Sequence, residues 1–346
     1  MKKLIIMVAS LALVASFAMT AAAADWNFYG SSRIATFSQN TEGIGSNTTD
    51  VDNFNLGLQV NARIGARVKV SDELTGRFEY GTGVNVRMLY GKWDFGSGSF
   101  LVGQTYSPLN IFVSNQVFGS DTDMLNVGGV YSGREPMLQL QFGSFKVAAV
   151  ELNNADNVGG TVENTIPAIE ASYKYSQDNW NVGVVGGYQT YERQMGAGVE
   201  IDVDSYVVAL QAGVNFGAIY LKGNVYTGQN GGNLIALNTT GTGFSGDGLA
   251  GLNAAGTDVD DNDIFGFVLV VGGKINDMFS VEAGYAAAEQ ELDSMSDADE
   301  VSSYYLQSTI TFAPGVFVVP EIGMIDNDED GQTEVTYFGA KWQINF

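Results

Sequence analysis

The stretch from Phe54 to Lys69, FNLGLQVNARIGARVK, alternates apolar residues with polar residues or glycine through all sixteen positions. Successive side chains of a β-strand point to opposite faces, so this pattern predicts a strand with one apolar and one polar face. Strands of soluble proteins usually have about 5 to 6 residues. A run of this length is typical of a strand that crosses a bilayer at a tilt and projects beyond it.

The last nine residues, FGAKWQINF (338–346), repeat the alternation and end on an aromatic side chain. In these features the chain resembles the Gram-negative outer-membrane general porins of the trimeric, 16-stranded type, whose last strand ends in Phe and is read by the barrel-assembly machinery. The resemblance implies that Trp342, Ile344 and Phe346 form an assembly signal for that machinery. It also implies a homotrimer with three pores.

The first 24 residues have the pattern of a cleaved secretory signal. Two lysines precede the apolar run Leu4–Phe17, and the small residues Ala22–Ala24 suit cleavage before Asp25. A permanent helical anchor is the alternative, but the apolar run is short for a hydrocarbon layer about 30 Å thick. We therefore predict export through the periplasm and one mature domain, residues 25–346, in the outer membrane.

The composition selects among the ways of crossing a membrane. No run of 18 apolar residues follows residue 24. A membrane protein without such a run must cross as a closed barrel, because every backbone polar group needs a partner in lipid. The net charge of -23 argues against nucleic acid as a partner.

The chain has no His and no Cys. The absence of these residues removes the usual general base, the Ser-His and Cys-His nucleophile pairs and the common zinc sites. We therefore predict that the protein is not an enzyme and uses no cofactor.

Short polar or glycine-containing breaks predict seven tight turns on one rim of the barrel. They lie at 71–73, 95–98, 143–144, 176–179, about 217, 276–278 and 313–315. Eight connections lie between them, at about 38–52, 81–83, 106–133, 153–165, 192–202, 228–262, 287–300 and 326–332. The asymmetry predicts an all-β fold, a transmembrane antiparallel up-and-down barrel of about 16 strands with short periplasmic turns and long extracellular loops. Fourteen or eighteen strands are the alternatives, and the alternation places Lys92 on the outward face.

A barrel of about sixteen strands is wide enough for a water-filled channel, so its function depends on what narrows it. The long third connection, 106–133, carries Asp121 and Asp123. Here too the chain resembles the general porins, in which the third loop folds into the barrel and its carboxylates face wall arginines. The resemblance implies that these two aspartates form one side of a constriction.

The first four predicted strands hold half of the 14 basic residues that follow residue 24. The face assigned to the lumen carries five arginines with Glu79 beside them: Arg33, Arg63, Arg67, Arg77 and Arg87. Guanidinium groups stay ionised, so this wall and the facing carboxylates would set up a transverse field. The alternative is that the arginines only solvate a wide lumen.

Two acidic runs in predicted loops are candidates for divalent cations. Residues 326–331 read DNDEDG, which matches the first half of a calcium loop, but the twelfth position is Tyr337 instead of Glu. Residues 258–263 carry four aspartates. Cations that bridge the loops, including 326–334, to lipopolysaccharide are one interpretation, and plain solvation of the loop tips is the other.

We therefore predict a porin whose water-filled channel lets small hydrophilic solutes and ions diffuse passively. An anion- or carboxylate-selective channel is the first alternative, favoured if the arginines meet few carboxylates. A structural or adhesive barrel with a closed lumen is the second, and measured conductance would separate it from the other two.

Overall fold

The computed structural model describes residues 24–42, 50–196, 198–237, 247–327 and 334–346. The predicted signal (1–24), except for its last residue, and residues 328–331 of the half calcium loop lie outside the described residues. No helix among the described residues is long and apolar enough to cross a membrane.

The described residues form one large antiparallel sheet that closes on itself. Its sixteen strands are β1 (Asp25–Thr41), β2 (Val51–Leu58 and Arg63–Lys69), β3 (Leu74–Gly81), β4 (Val86–Asp94), β5 (Ser99–Tyr106), β6 (Arg134–Phe142), β7 (Phe145–Val150), β8 (Thr161–Glu163 and Ala168–Ser176), β9 (Trp180–Gly196), β10 (Val199–Phe216), β11 (Ile219–Gln229), β12 (Asn262–Lys274), β13 (Phe279–Leu292), β14 (Asp299–Ala313), β15 (Val316–Asn327) and β16 (Glu334–Asn345). The first strand pairs with the last, from Ser31 opposite Asn345 to Thr41 opposite Val335. Closure leaves no unpaired sheet edge. The predicted antiparallel barrel of about 16 strands is confirmed.

All seven predicted tight turns join consecutive strands at one end of the barrel, here called the turn rim. The other end, the loop rim, carries the longer connections and the short hairpin between Gly81 and Val86. The predicted connection at 192–202 is wrong, because the pairing of β9 with β10 continues to Gly196 opposite Val199. Apolar side chains near these strand ends are buried against neighbouring loops, and this packing extends the strands.

The two faces of the wall differ as the alternation predicts. On β10, Tyr206, Val208 and Leu210 are 43%, 49% and 56% exposed, whereas Ser205 and Val207 are fully buried. The same alternation gives other strands an exposed apolar outer face. An outer band of apolar side chains suits contact with lipid.

The stretch Phe54–Lys69 is interrupted rather than continuous. Leu58 lies opposite Ile34 of β1, and Arg63 lies opposite Ser31, so four residues of β2 face two of β1. The surplus forms a bulge at 59–62. Because the number of extra residues is even, the alternation continues in phase beyond it.

A second bulge makes the prediction for Lys92 wrong. In the register of β3 with β4, Arg87 has no partner and the pairing shifts beside Glu79 and Tyr80. One extra residue moves every later side chain of the strand to the other face. Trp93 is therefore 54% exposed on the outer face, and Lys92 lies on the lumen face.

The lumen is partly filled by two loops. Loop 3 (107–133) and loop 6 (230–261, described except for 238–246) pack on the inner faces of β9 to β14 in the largest apolar cluster. Its loop members are Leu109, Ile111, Val113, Met124, Val127, Val130, Leu234, Ile235 and Leu237. A cavity remains in the lumen beside β1, β11 and β13 to β16. The predicted arginine wall is on β1 to β4.

Candidate channel constriction

Three glutamates on three strands hold the backbone of loop 3. They are Glu170 (β8), Glu282 (β13) and Glu321 (β15). Glu170 accepts a hydrogen bond from the backbone N–H of Leu109. Glu282 accepts the backbone N–H of Asn115 at 2.8 Å and its side-chain amide at 2.6 Å. Glu321 accepts the N–H groups of Val117 at 2.7 Å and Phe118 at 3.0 Å.

These three carboxylates are nearly inaccessible to solvent, and no ion pair among the described residues includes them. Their partners are backbone amides, hydroxyl groups and side-chain amides. A hydrogen bond to a charged group contributes roughly 1.5–3 kcal/mol. Together with the buried apolar side chains, these bonds fix the position of the loop in the lumen.

The tip of loop 3 has an unusual backbone. Gly119, Ser120 and Asp121 have φ values of 63°, 69° and 61°, and Asp123 and Met124 have 54° and 56°. The left-handed region costs roughly 1–2 kcal/mol for a residue with a side chain. Such a conformation persists only where surrounding contacts enforce it. Here it directs the Asp121 carboxylate at the opposite wall.

Asp121 contacts three strands of that wall. Its carboxylate lies 2.5 Å from Nη1 of Arg33 on β1 and 3.0 Å from Nζ of Lys341 on β16. The amide of Asn61, in the bulge of β2, donates a hydrogen bond to it at 2.8 Å. All three charged side chains are 10–13% exposed. The structure thus brings the predicted Arg33 and Asp121 together.

Glu79 forms the centre of a second charged cluster. Its fully buried carboxylate lies 2.8 Å from Arg77, 2.8 Å from Arg87 and 3.5 Å from Arg63. The hydroxyl of Tyr29 donates a further hydrogen bond at 2.9 Å. One carboxylate therefore holds three arginines that would otherwise repel one another.

The remaining two predicted residues have fewer partners. The Arg67 guanidinium lies 5.5 Å from the centre of the Tyr29 ring, and no ion pair among the described residues includes it. Asp123 is half-buried beside Asp121 in the loop, again without an ion pair in the described part of the chain. Burial, reinforced by the neighbouring Asp121 carboxylate, raises the pKa of the Asp123 carboxyl well above its usual range.

The wall opposite loop 3 is predominantly basic. The two carboxylates of Asp121 and Glu79 pair with five cations, Arg33, Arg63, Arg77, Arg87 and Lys341. Arg67, beside Tyr29, is a sixth cation on the same wall but pairs with neither carboxylate. A cavity of about 420 Å³ borders loop 3 and strands β1, β11 and β13 to β16, and Arg33, Lys341 and Glu282 are among its lining residues. This volume is within the range of small-molecule sites. The geometry can hold a small hydrated solute in a field of fixed charges.

Sequence reasoning missed several of these residues. Lys341 was detectable, because it stands on the polar face of the alternating last strand. Asn61 contacts Asp121 through a bulge that alternation does not reveal. The three loop-holding glutamates carry no local signal, since each acquires its role from a loop far away in sequence.

The C-terminal residues lie on the outer face of the barrel. Trp342, Ile344 and Phe346 are 49%, 53% and 73% exposed. The backbone of Phe346 exchanges two hydrogen bonds with Gly30, at 2.7 and 3.0 Å, at the seam between the first and last strands. Their role as an assembly signal stays a prediction.

The acidic run at 258–263 is engaged in local hydrogen bonds. Asp260 accepts the hydroxyl of Ser294 at 2.5 Å, and Asp261 accepts the amide of Asn230 at 2.7 Å. No group of three or more potential ligands in the described ranges is arranged to hold a metal ion. Cation binding by either acidic run stays a prediction.

No family model and no curated protein sequence matches the chain. Its fold does match solved structures. The outer membrane channel DcaP of Acinetobacter baumannii superposes with a TM-score of 0.72 at 17% identity, over 93% of this chain and 97% of that one. The anion-selective porin from Comamonas acidovorans gives 0.60 at 12%, over 93% and 100%. The trimer form of OmpT, an outer membrane protein of Vibrio cholerae, gives 0.59 at 15%, over 93% and 99%. The chain therefore has the fold of the outer-membrane porins.

Proposed function

We propose that the protein is an outer-membrane porin through which small hydrophilic solutes and ions diffuse passively. One observation carries the proposal: loop 3 is fixed inside the barrel opposite an ionised wall and leaves a cavity beside Arg33 and Lys341 instead of a packed interior. The porin fold supports a channel role. Passive diffusion requires no covalent step, so the scarcity of catalytic residue types is compatible with it.

The excess of wall cations favours a second candidate, a preference for anions such as carboxylates. Fixed positive charge at a narrow point raises the local concentration of anions and lowers that of cations. The name of the Comamonas porin, which describes it as anion-selective, supports the same direction. The acidic side chains of the loop rim concentrate cations at the outer mouth. Anions are therefore preferred only if the positive charge at the constriction outweighs this effect.

Planar bilayer recording tests both candidates. Purified and refolded chain is expected to give discrete conductance steps, and a reversal potential of the anion-selective sign in a salt gradient. A folded barrel without conductance would contradict the channel proposal and favour the structural or adhesive barrel. Steps with a cation-selective sign would leave the channel in place and refute the anion preference.

The proposal includes a homotrimer. The continuous segments of β2 to β5 have 7–9 residues, whereas β9 and β10 have 17 and 18. The part of the wall with these short strands exposes apolar side chains such as Val60 (70%) and Val84 (78%). The trimer form of the Vibrio protein supports self-association. Light scattering in mild detergent should give three times the chain mass, and a single-chain mass would contradict the trimer.

We also infer that the chain is exported with cleavage after residue 24, that the barrel-assembly machinery inserts it, and that lipopolysaccharide surrounds its outer half. Mass spectrometry of protein isolated from outer membranes should find a mature chain beginning at Asp25. An intact N-terminus would contradict the cleaved signal.

A further inference from the structure

Four lysines line the lumen between loop 3 and the turn rim. They are Lys92 (β4), Lys146 (β7), Lys174 (β8) and Lys222 (β11), here called the inner lysine arc. Each lies within three residues of the end of its strand at the turn rim. At a rise of roughly 3.3 Å per residue, all four are within about 10 Å of that rim.

The neighbours of these lysines in the sequence establish that they point inward. Each lysine adjoins a large apolar side chain that is exposed on the outer wall: Trp93, Phe145, Tyr175 and Leu221. Adjacent residues of a strand point to opposite faces. The ammonium groups are therefore presented to the lumen.

The inner lysine arc lacks neutralising carboxylates. No ion pair in the described part of the chain includes any of its four members. Nζ of Lys92 contacts the amide oxygen of Gln141 at 3.4 Å, and Nζ of Lys222 lies 4.5 Å from the centre of the Tyr220 ring. The nearby Asp94 accepts the backbone N–H of Gly96 at 2.8 Å.

Two other lysines at the same rim show the contrast. Lys69 and Lys274 each lie 2.7 Å from a carboxylate three residues further along the chain, Asp72 and Asp277. Their charge is compensated locally. The positive charge of the inner lysine arc is not.

Polar side chains stand between the members of the arc. Lys146 lies opposite Gln141 on β6 and Ser172 on β8. Lys174 lies opposite Gly183, which has no side chain to separate it from Gln211 on the next strand. A bound oxyanion would find ammonium, amide and hydroxyl donors on one surface.

We propose that the inner lysine arc is a second anion-binding site, distinct from the constriction, that takes small, multiply charged oxyanions of which inorganic phosphate is the simplest. The inference rests on the proposed open channel, because the anion must reach the arc through water. A multiply charged anion gains from two or more ammonium groups at once, whereas chloride gains little. Since the arc lies at the turn rim and the opposite mouth is acidic, the site is more accessible from the turn side.

Phosphate block of chloride current in oriented bilayers tests the proposal. Because the chain has no Cys, Ser296→Cys, in an exposed loop, reports orientation through a membrane-impermeant thiol reagent. The double variant Lys146→Gln/Lys174→Gln is compared with Lys69→Gln/Lys274→Gln. The control pair removes the same charge from the same rim, but from lysines already paired with aspartates.

Phosphate added on the turn side of the unaltered channel is expected to reduce the current at lower concentration than phosphate added on the loop side. The Lys146→Gln/Lys174→Gln variant should need on the order of tenfold more phosphate, and the control pair less than about twofold more. If phosphate blocks conducting channels equally well from both sides, the proposed inner site is refuted and the proposed function is not. The same conclusion follows if both double variants raise the blocking phosphate concentration by the same factor. Absence of conductance in the unaltered protein would instead refute the proposed function.

Discussion

The amide of Asn61 donates a 2.8 Å hydrogen bond to the carboxylate of Asp121, which joins the bulge of β2 to the tip of loop 3. The same carboxylate meets Arg33 and Lys341. A feature that interrupts a strand thus positions a charge of the proposed constriction. Bulges next to functional sites commonly redirect a side chain in this way.

Asp121→Asn should strengthen anion preference. The substitution keeps the side-chain shape but leaves Arg33 and Lys341 uncompensated, so the anion-to-cation permeability ratio should rise roughly 1.5- to 5-fold. Reversal potential in a salt gradient measures the ratio. Asp258→Asn, an exposed aspartate on loop 6, removes the same charge outside the constriction and should have little effect. Equal shifts in the two variants would refute the assignment of Asp121 to the narrow point.

Arg63→Ala combined with Arg77→Ala should shift permeability toward cations and raise conductance slightly. The pair removes two of the six wall cations and leaves Glu79 with Arg87 and Tyr29 as partners. The expected change in permeability ratio is again roughly 1.5- to 5-fold per charge. An unchanged reversal potential would contradict the placement of these arginines at the constriction. Lys274→Ala at the turn rim serves as the control.

Glu282→Gln should loosen loop 3 without unfolding the barrel. Glu282 accepts bonds from Asn115 and from the hydroxyls of Tyr220 and Tyr305. A neutral amide is a weaker acceptor and offers one oxygen instead of two, so the docked loop should lose on the order of 1–3 kcal/mol. Single-channel traces should show more frequent closures. Glu289→Gln, an exposed position on the same strand, should behave like the unaltered protein, and quiet traces in both variants would contradict the role of Glu282.

Lowering the pH should increase the preference for anions before ordinary carboxyl groups begin to take up protons, because Asp123 is protonated first. The pKa of Asp123 is raised by burial and by Asp121, so this group takes up its proton before a solvent-exposed aspartate does. Its protonation removes negative charge from the loop tip. Asp123→Asn should abolish this part of the pH profile of reversal potential. A profile that Asp123→Asn leaves unchanged would show that another group titrates.

Phe346→Ser should reduce the yield of folded barrels without changing the pore of the molecules that fold. Phe346 lies on the outer face at the β1–β16 seam, away from the charged wall. Heat-modifiable migration on gels quantifies folded protein, and conductance tests the surviving channels. Phe312→Ser, at an exposed aromatic position on another strand end, controls for the loss of one ring. A normal yield with Phe346→Ser would contradict the assembly signal.

The strands and turns were predictable because both carry local signals. A period of two identifies each strand, and Gly, Asn, Asp and Ser mark each turn. The same rule failed where the backbone adds residues: one extra residue at Arg87 moved Lys92 to the lumen, and the bulge at 59–62 was not visible. Neither bulge is marked by a residue that alternation would flag.

The candidate site was predictable in its charges but not in its contacts. The arginines stood out because guanidinium groups on the polar face of adjacent strands are few and regularly placed. The residues that bind loop 3 did not stand out in the sequence, because Glu321 and its partner Val117 are 204 positions apart. Such a pairing depends on barrel closure and loop path, which no local pattern encodes.

The same sequence separation sets the order in which the molecule can mature. Asn115 and Val117 of loop 3 precede their partners Glu282 and Glu321 by 167 and 204 residues, so these bonds can form only after the late strands β13 and β15 have joined the wall. A barrel whose strands are all paired while loop 3 is still undocked would be the most permeable state on the folding pathway. If the proposed function holds, docking of the loop is the step that converts an open barrel into a selective channel.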